Sequence, residues 1–486
     1  MIREFFTTRS SIQQLLVVML LSLPCAFFVT FDAEISRILP EKIWKTLYIE
    51  QSPLKVSLLM PILSVVVIFV VKQINYSSAQ YIGLTLIFIA AQTGGLKLGR
   101  INGLDIVTFG IFVRGLVLHM KNPDTQLKLS SLFFFALALQ GLNLLTLMHQ
   151  PPVQHVIGAI GLFKMFILAM ILTQLINSTE SILFATQAII VIALLSSLIA
   201  ISQAVLYYIF SIDITFIDQF GGAADTHFKP TPFGMLPRAS ALNTTAQHLS
   251  SFLLIALPFT LFENNEAQLT NEKIFKVLLL LLGVVSTWNF GGIFVAIFLM
   301  GIYPYVRWPN YSIHIICGML IISVLAYFSG VLEWIYLHSF GDSGVSKGVD
   351  QRHTLLNIGL ETLFRLPLVG EGLRGFADNS SGNYWHRPVH NSYVQAATEI
   401  GFVGALVFLG LMLTKLTQLV ILMSHSEQNI QLIKAAFSAL LGLSLLMFSE
   451  PMLDHSNTWI LLGVIEALII SSTHLKIANN SNVNIE

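Results

Sequence analysis

The feature that most constrains this chain is a succession of long apolar runs separated by short polar or Gly/Pro-containing breaks. A helix satisfies its own backbone in hydrocarbon, and about 20 apolar residues in helical form cross a bilayer core. The runs lie near 12–31, 54–72, 78–92, 103–119, 129–148, 153–176, 181–210, 246–263, 274–288, 291–306, 312–334, 391–421, 434–450 and 457–473. They predict an all-α fold, a polytopic transmembrane helix bundle of about 12 to 14 spans. One integral membrane domain over residues 1–486 accounts for all of them. The uncharged stretch from Val277 to Val306 is divided at Asn289-Phe290-Gly291-Gly292 into two helices.

Composition fits a bilayer as solvent. Of 486 residues 55% are hydrophobic and 11% charged, whereas a soluble domain is about 25% charged. The 26 basic and 26 acidic residues cancel, so no global field argues for nucleic acid as a partner. Cys25 and Cys317 both sit in apolar runs, which points to packed thiols rather than a disulfide or a metal site. Arg3 and Arg9 ahead of Ile12 to Phe31 give the outline of a signal peptide, but no small-residue cleavage site follows and the run is expected to be the first span. No internal repeat or low-complexity tract is visible.

Charge matters by position. With the N-terminus inside, Arg3, Arg9, Lys72, Lys121, Lys128, Lys273, Lys276, Arg307, Lys434 and Lys476 fall on the cytoplasmic side, as the positive-inside rule requires. Lys42, Lys45, Lys97 and Arg100 fall outside. The two long polar segments, 212–245 and 338–390, then face the exterior. Within the second, Thr354 to Leu366 spaces Leu355, Leu356, Leu360, Leu363 and Phe364 as an amphipathic helix on the membrane or on the bundle, ended by Pro367.

The 338–390 segment also concentrates chemistry. It holds Arg352, Arg365, Arg374 and Arg387, His353, His386 and His390, and the glycines Gly370, Gly372 and Gly375. Planar guanidinium groups bind phosphate oxygens in pairs, and glycine lets backbone approach a ligand. A solvated loop balanced by Asp342, Asp350, Glu361, Glu371 and Asp378 has the same composition. Three ionisable residues, Arg114, Lys164 and Glu466, fall within spans, where they need a partner or an aqueous cavity. Pairing among themselves and lining a cavity both fit.

The order of Arg352, a helix, Pro367, Gly370 and Gly372, then His390-Asn391 with Tyr393, and Glu399 with Gly401 and Gly404, resembles the signature of the O-antigen ligase and O-antigen polymerase superfamily. The resemblance covers about residues 350 to 410. In PRASALNTTAQHLSSFLLIALP, Arg238 and Asn243 precede a span much as an earlier exterior motif of that family does. Where family members often carry Ser-Arg-Gly, this chain has Asn289-Phe290-Gly291.

That resemblance implies a glycosyltransferase at the periplasmic face of the bacterial inner membrane, in lipopolysaccharide or exopolysaccharide biosynthesis. Its donor would be a glycan on undecaprenyl pyrophosphate, and its acceptor a hydroxyl of lipid A core or of another glycan. His390 would take the acceptor proton, and Arg238 and Arg352 would stabilise the departing pyrophosphate. Asn391, Arg374, Tyr393 and Lys97 are the accompanying substrate-binding candidates, and membrane lipid is the surrounding partner. Asn391 equally suits a helix N-cap. Tyr393 and Glu399 equally suit packing, and Gly401 and Gly404 suit close helix contact. With arginines neutralising the phosphates, no metal and no cofactor is expected, and the chain has no Asp-x-Asp pair. Ligase and polymerase share this chemistry and differ in acceptor. A secondary transporter is the competing class, with Arg114, Lys164 and Glu466 along its path.

Overall fold

A computed structural model describes residues 76–92, 97–98, 101–102, 104–112, 130–146, 152–210, 228–231, 234–241, 243, 245–263, 270–307, 345–368, 370–373, 375–376, 388–425 and 429–483. The expected spans at 12–31, 54–72 and 312–334 lie outside these residues, as do Arg114, Arg374, His386, Arg387, Cys25 and Cys317.

The described chain is helical. In order it forms α1 (Tyr76–Gln92), α2 (104–112), α3 (Ser131–Thr146), α4 (Pro152–Leu175), α5 (Thr179–Phe210), α6 (Ala246–Leu261), α7 (Asn271–Ser286) and α8 (Phe290–Arg307). Four more follow: α9 (Val345–Arg365), α10 (Ser392–His425), α11 (Ile430–Leu446) and α12 (Ser456–Val483). Two short antiparallel hairpins complete the described elements, β1 (Lys97–Leu98) with β2 (Ile101–Asn102), and β3 (Phe228–Thr231) with β4 (Gly234–Pro237). Among the described residues, four helices are long and apolar enough to cross a membrane: Thr179–Ile209, Phe290–Arg307, Ser392–His425 and Ser456–Thr473. Five shorter apolar helices accompany them.

Several helices are apolar on both sides. α7 buries Val277, Leu280 and Val284 against the bundle while Phe275, Leu278, Leu282 and Val285 face outward. An exposed stripe of this size is what lipid covers. The inner helix α6 is buried along nearly its whole length, and Trp459 of α12 packs edge-on against Phe166 of α4.

Local chemistry sets the helix ends. Thr245 and Thr270 cap α6 and α7 by accepting from the backbone N–H groups of His248 (3.2 Å) and Lys273 (3.3 Å). Between α7 and α8 the chain turns through Thr287 and Trp288, whose φ of 46° leaves the helical region. The apolar stretch from Val277 to Val306 is therefore two helices, divided where Asn289 was expected to divide it.

Because α7 rises about 1.5 Å per residue, its two ends lie roughly 24 Å apart. The lower end gathers Glu263, Lys273 and Lys276, with Arg307 close enough to act on both Lys273 and Lys434. The upper end carries the 287–289 turn, the segment before α6, the start of α10 and the α11–α12 turn, which meet as described below.

α9 starts earlier than the Leu spacing suggested and stops at Pro367 as expected. It packs on α10 and against β3. Its apolar residues divide between two faces. Leu355 is buried with Val389 and Phe376, whereas Phe364 and Leu368 are 82% and 69% exposed.

Candidate functional site

Glu450 occupies the turn between α11 and α12, where the sequence FSEPMLD reads as an ordinary short connection. Its side chain is only 1% exposed, and three cationic or titratable groups surround it. Arg352 of α9 brings Nη2 to 3.7 Å from Oε1, and His390, just before α10, brings Nδ1 to 3.8 Å from Oε2. Both are ion-pair rather than hydrogen-bond separations. Among the described residues neither oxygen of Glu450, nor Nδ1 of His390, has a hydrogen bond. Arg238, on the segment leading into α6, is close enough that Glu450 and Arg352 both act on its charge.

Each side chain is held by its own local structure. Ser392, fully buried at the start of α10, fixes the Glu450 turn by three bonds. Its backbone N–H donates to Met447 O (2.8 Å), its hydroxyl donates to Glu450 O (2.7 Å), and the same oxygen accepts from Met452 N–H (2.7 Å). Asn391 caps α10 by accepting from Tyr393 N–H (3.0 Å) and Val394 N–H (3.1 Å), and its amide donates to Phe448 O (3.3 Å). His390 thus precedes a fixed helix start that is stitched to the turn carrying Glu450. Arg238 donates from Nε to Thr287 O (3.3 Å), which anchors it to the α7–α8 turn.

Below these groups a buried amide network joins the upper helix ends. Asn243 donates to Gln92 Oε1 (3.0 Å), Gln92 to Asn457 Oδ1 (3.2 Å), and Asn457 to His248 O (2.9 Å) and Ser251 Oγ (2.8 Å). Gln203 grips the backbone of Ala241 at both its N–H (2.9 Å) and its carbonyl (3.1 Å), holding that residue at φ 50°. This grip fixes the path of the segment that delivers Arg238.

The Pro-x-x-Gly-x-Gly turn and the Glu-x-Gly motif form one joint. Gly401, with φ 82° and ψ 171°, interrupts α10 in a conformation open in practice only to glycine. The carbonyls released there are taken by the turn after α9, where Glu371 N–H donates to Thr398 O (2.8 Å) and Gly372 N–H to Glu399 O (2.7 Å). Phe402 N–H donates back to Pro367 O (2.7 Å). A Cβ on Gly370 would lie 2.6 Å from Glu399 C, so side chains are excluded from the seam. The expectation that Gly401 admits a neighbouring helix is corrected: it breaks its own helix so that the loop can dock. Gly404 meets Ile400 of the same helix, not a second one.

Electrostatics follow from burial and neighbours. Burial alone pushes the Glu450 carboxyl up, but His390, Arg352 and Arg238 together outweigh it and hold the group below its ordinary range. Burial pulls the Arg238 guanidinium down, Glu450 pushes it back up and Arg352 lowers it again. Nearby His455, wholly enclosed, is pushed down to about 3 by burial and stays neutral.

Of the residues nominated from sequence, Arg238, Arg352 and His390 come together. Asn391 is the cap between His390 and α10. Tyr393 donates from its hydroxyl to Ser444 O (3.2 Å) with its ring against Phe448, a packing role one turn below. Glu399 is buried and accepts from Gln395 (3.2 Å). Lys97 begins β1, past the end of α1 that carries Gln92. Arg365 pairs with the buried Glu371 at the foot of α9. Glu450 was missed, since nothing in its own sequence separates it from a solvated turn residue.

Among the described residues the charges expected within spans find other partners, and Arg114 lies outside those residues. Lys164 bonds Asp105 of α2 at 2.7 Å, and Glu466 pairs with the fully buried Lys415 of α10, which the apolar run around it had hidden. Among the described residues no group of three or more His, Cys, Asp and Glu side chains is placed to hold a metal. The chain matches no protein-family profile, and no curated protein matches it in sequence.

Proposed function

We propose that this chain is a membrane glycosyltransferase that moves a glycan from an undecaprenyl-pyrophosphate carrier to an acceptor hydroxyl at the periplasmic face of the bacterial inner membrane. The single observation behind this reading is the meeting of Arg238, Arg352 and His390 around one buried carboxylate. These residues come from segments far apart in sequence and were nominated by motif alone. The cluster also lies at the end of the bundle opposite Lys273, Lys276, Arg307 and Lys434, and positive charge favours the cytoplasmic side. About 12 to 14 spans and an exterior 338–390 segment belong to the same reading.

The chemistry needs few parts. The acceptor oxygen forms a bond to the anomeric carbon as the bond from that carbon to the pyrophosphate oxygen breaks. Its proton passes to His390, and the electron pair leaves with the pyrophosphate. Arg352, 44% exposed, and Arg238 offer positive charge to that leaving group. One carboxylate facing two guanidinium groups leaves the cluster a net cation, which suits a polyanionic headgroup. Phe364, on the same helix as Arg352, and Leu368 just after it present exposed apolar side chains, which suits a lipid-borne donor.

Ligase activity is the reading adopted, with repeat-unit polymerase as its close alternative, because the cluster describes donor chemistry and leaves the acceptor open. A transporter is less favoured: Lys415 with Glu466 and Lys164 with Asp105 are already paired, leaving these groups committed to one another. The test is deletion in the native host, followed by complementation with wild type or with His390→Ala whose membrane insertion is verified. Free lipid-linked polymer with no polymer on the lipid A core identifies a ligase, and single repeats on the core identify a polymerase. Wild-type surface glycan in the His390→Ala strain removes the reading.

A further inference from the structure

Glu450 is a costly residue in its place: a carboxylate with 1% exposure, both oxygens without hydrogen bonds among the described residues, and a backbone pinned at its own carbonyl by Ser392. Two features argue against a purely structural ion pair. Its partners are not clamped onto it, standing at 3.7 and 3.8 Å, and they divide between its oxygens, Arg352 on Oε1 and His390 on Oε2. The buried Glu466 is held differently, closed off by Lys415, which is itself bound to Ser131 (2.6 Å) and Gln418 (3.0 Å).

We propose that Glu450 is the positioning residue of the site, orienting His390 through Nδ1 and holding Arg352 in register with it, so that one carboxylate couples the base to the phosphate-binding cation. This rests on the glycosyltransferase reading and deepens it. An imidazole whose Nδ1 faces a carboxylate keeps its proton there and presents the Nε2 lone pair outward. When Nε2 takes the acceptor proton, the imidazolium formed stands beside a negative charge already in place, with no reorganisation needed. Glu450 is thus the acid that faces the imidazole, 3.8 Å from Nδ1. On the opposite oxygen the same carboxylate holds Arg352, and a lengthening or shortening of this side chain would shift base and cation together.

Two measurements on the full chain separate this proposal from the functional reading. In purified protein labelled with [15N]histidine, with His390→Gln supplying the assignment, neutral His390 is expected to carry its proton on Nδ1. Glu450→Gln should mix the two tautomers and Glu450→Asp should largely restore the Nδ1–H form. An unchanged tautomer in Glu450→Gln overturns the proposal whatever the protein catalyses. Were that variant not to extract as a folded species, Ser392→Ala, which frees the backbone beneath the carboxylate, should mix the tautomers instead, and an unchanged ring there overturns the proposal too. In glycan transfer from the lipid-pyrophosphate donor, Glu450→Gln should lower kcat by about 100-fold, and Glu450→Asp should recover much of that rate. An equal loss of rate in Glu450→Asp, with the Glu450→Gln tautomer unchanged, assigns Glu450 to structure alone and overturns the proposal. Failure of the wild-type chain to transfer glycan, with the tautomer result intact, would sink the functional reading and not the His390–Glu450 geometry.

Discussion

Two buried carboxylates on neighbouring stretches of the chain are treated in opposite ways. Glu466, within α12, is closed off by Lys415, and that ammonium is itself bonded to Ser131 and Gln418, so every charge has a partner and nothing faces water. Glu450, just before α12, faces a half-exposed Arg352 and a His390 that is 16% exposed, at 3.7 and 3.8 Å, with Arg238 close enough to feel its charge. The first arrangement satisfies a charge that lipid would not tolerate. The second leaves positive charge and hydrogen-bonding capacity unspent on one side. The difference is one of satisfaction: Glu466 is closed on by a cation, whereas both oxygens of Glu450 lack a hydrogen bond among the described residues.

Removing groups from the two sites should therefore have different signatures. The largest effect is expected at the open cluster: Arg352→Ala or His390→Ala should cut glycan transfer by about 100- to 10,000-fold with little change in thermal unfolding, measured by transfer assay and by scanning fluorimetry in detergent. A matching loss of stability would merge the two sites and undo the contrast. At the closed pair, Lys415→Met should destabilise the protein by about 3 to 5 kcal/mol by stranding Glu466, and adding Glu466→Leu should recover most of it. A double variant as unstable as the single one would show that the pair contributes specific geometry as well as neutralisation.

Smaller effects sharpen the role of the scaffold. Gly401→Ala forces a side chain into a conformation reserved for glycine and should cost about 1 to 3 kcal/mol, and limited proteolysis should then cut the 366–376 turn as it leaves α10. A pH effect of similar size accompanies it. His455 is held neutral with its pKa at about 3, while the unfolded chain takes up that proton below about 6.5. Stability is therefore whole above that value and falls as pH drops through the window down to about 3, by up to about 1.4 kcal/mol per pH unit. Unfolding midpoints at pH 7 and pH 5 should differ, and His455→Asn should narrow the difference.

Much of the helical layout was legible. The apolar runs at 181–210, 246–263, 274–288, 291–306, 391–421 and 434–450 fall on α5, α6, α7, α8, α10 and α11, because in hydrocarbon the helix is the local solution to an unpaired backbone. The division at Asn289 and the stop at Pro367 were also local matters, set by φ and by a missing N–H. Less legible was anything requiring knowledge of which helix ends share a side. Lys415 looked like one polar letter in an apolar run until α12 brought Glu466 to it. Gly401 read as a contact residue because a helix break with borrowed carbonyl partners leaves no periodic trace.

The sequence by itself determined the apolar runs, four of which form helices long and apolar enough to cross a membrane among the described residues, and the concentration of arginine and histidine in the stretch before α10. Residue types expensive near lipid announce themselves one at a time. Only the tertiary structure decided that Arg238, Arg352 and His390 converge on Glu450, and that Ser392 fixes the turn beneath it. Electrostatic energy depends on separation in space and on exclusion of water. Both are set when α6, α9, α10 and α12 bring their ends together, and neither is written at any one position of the chain.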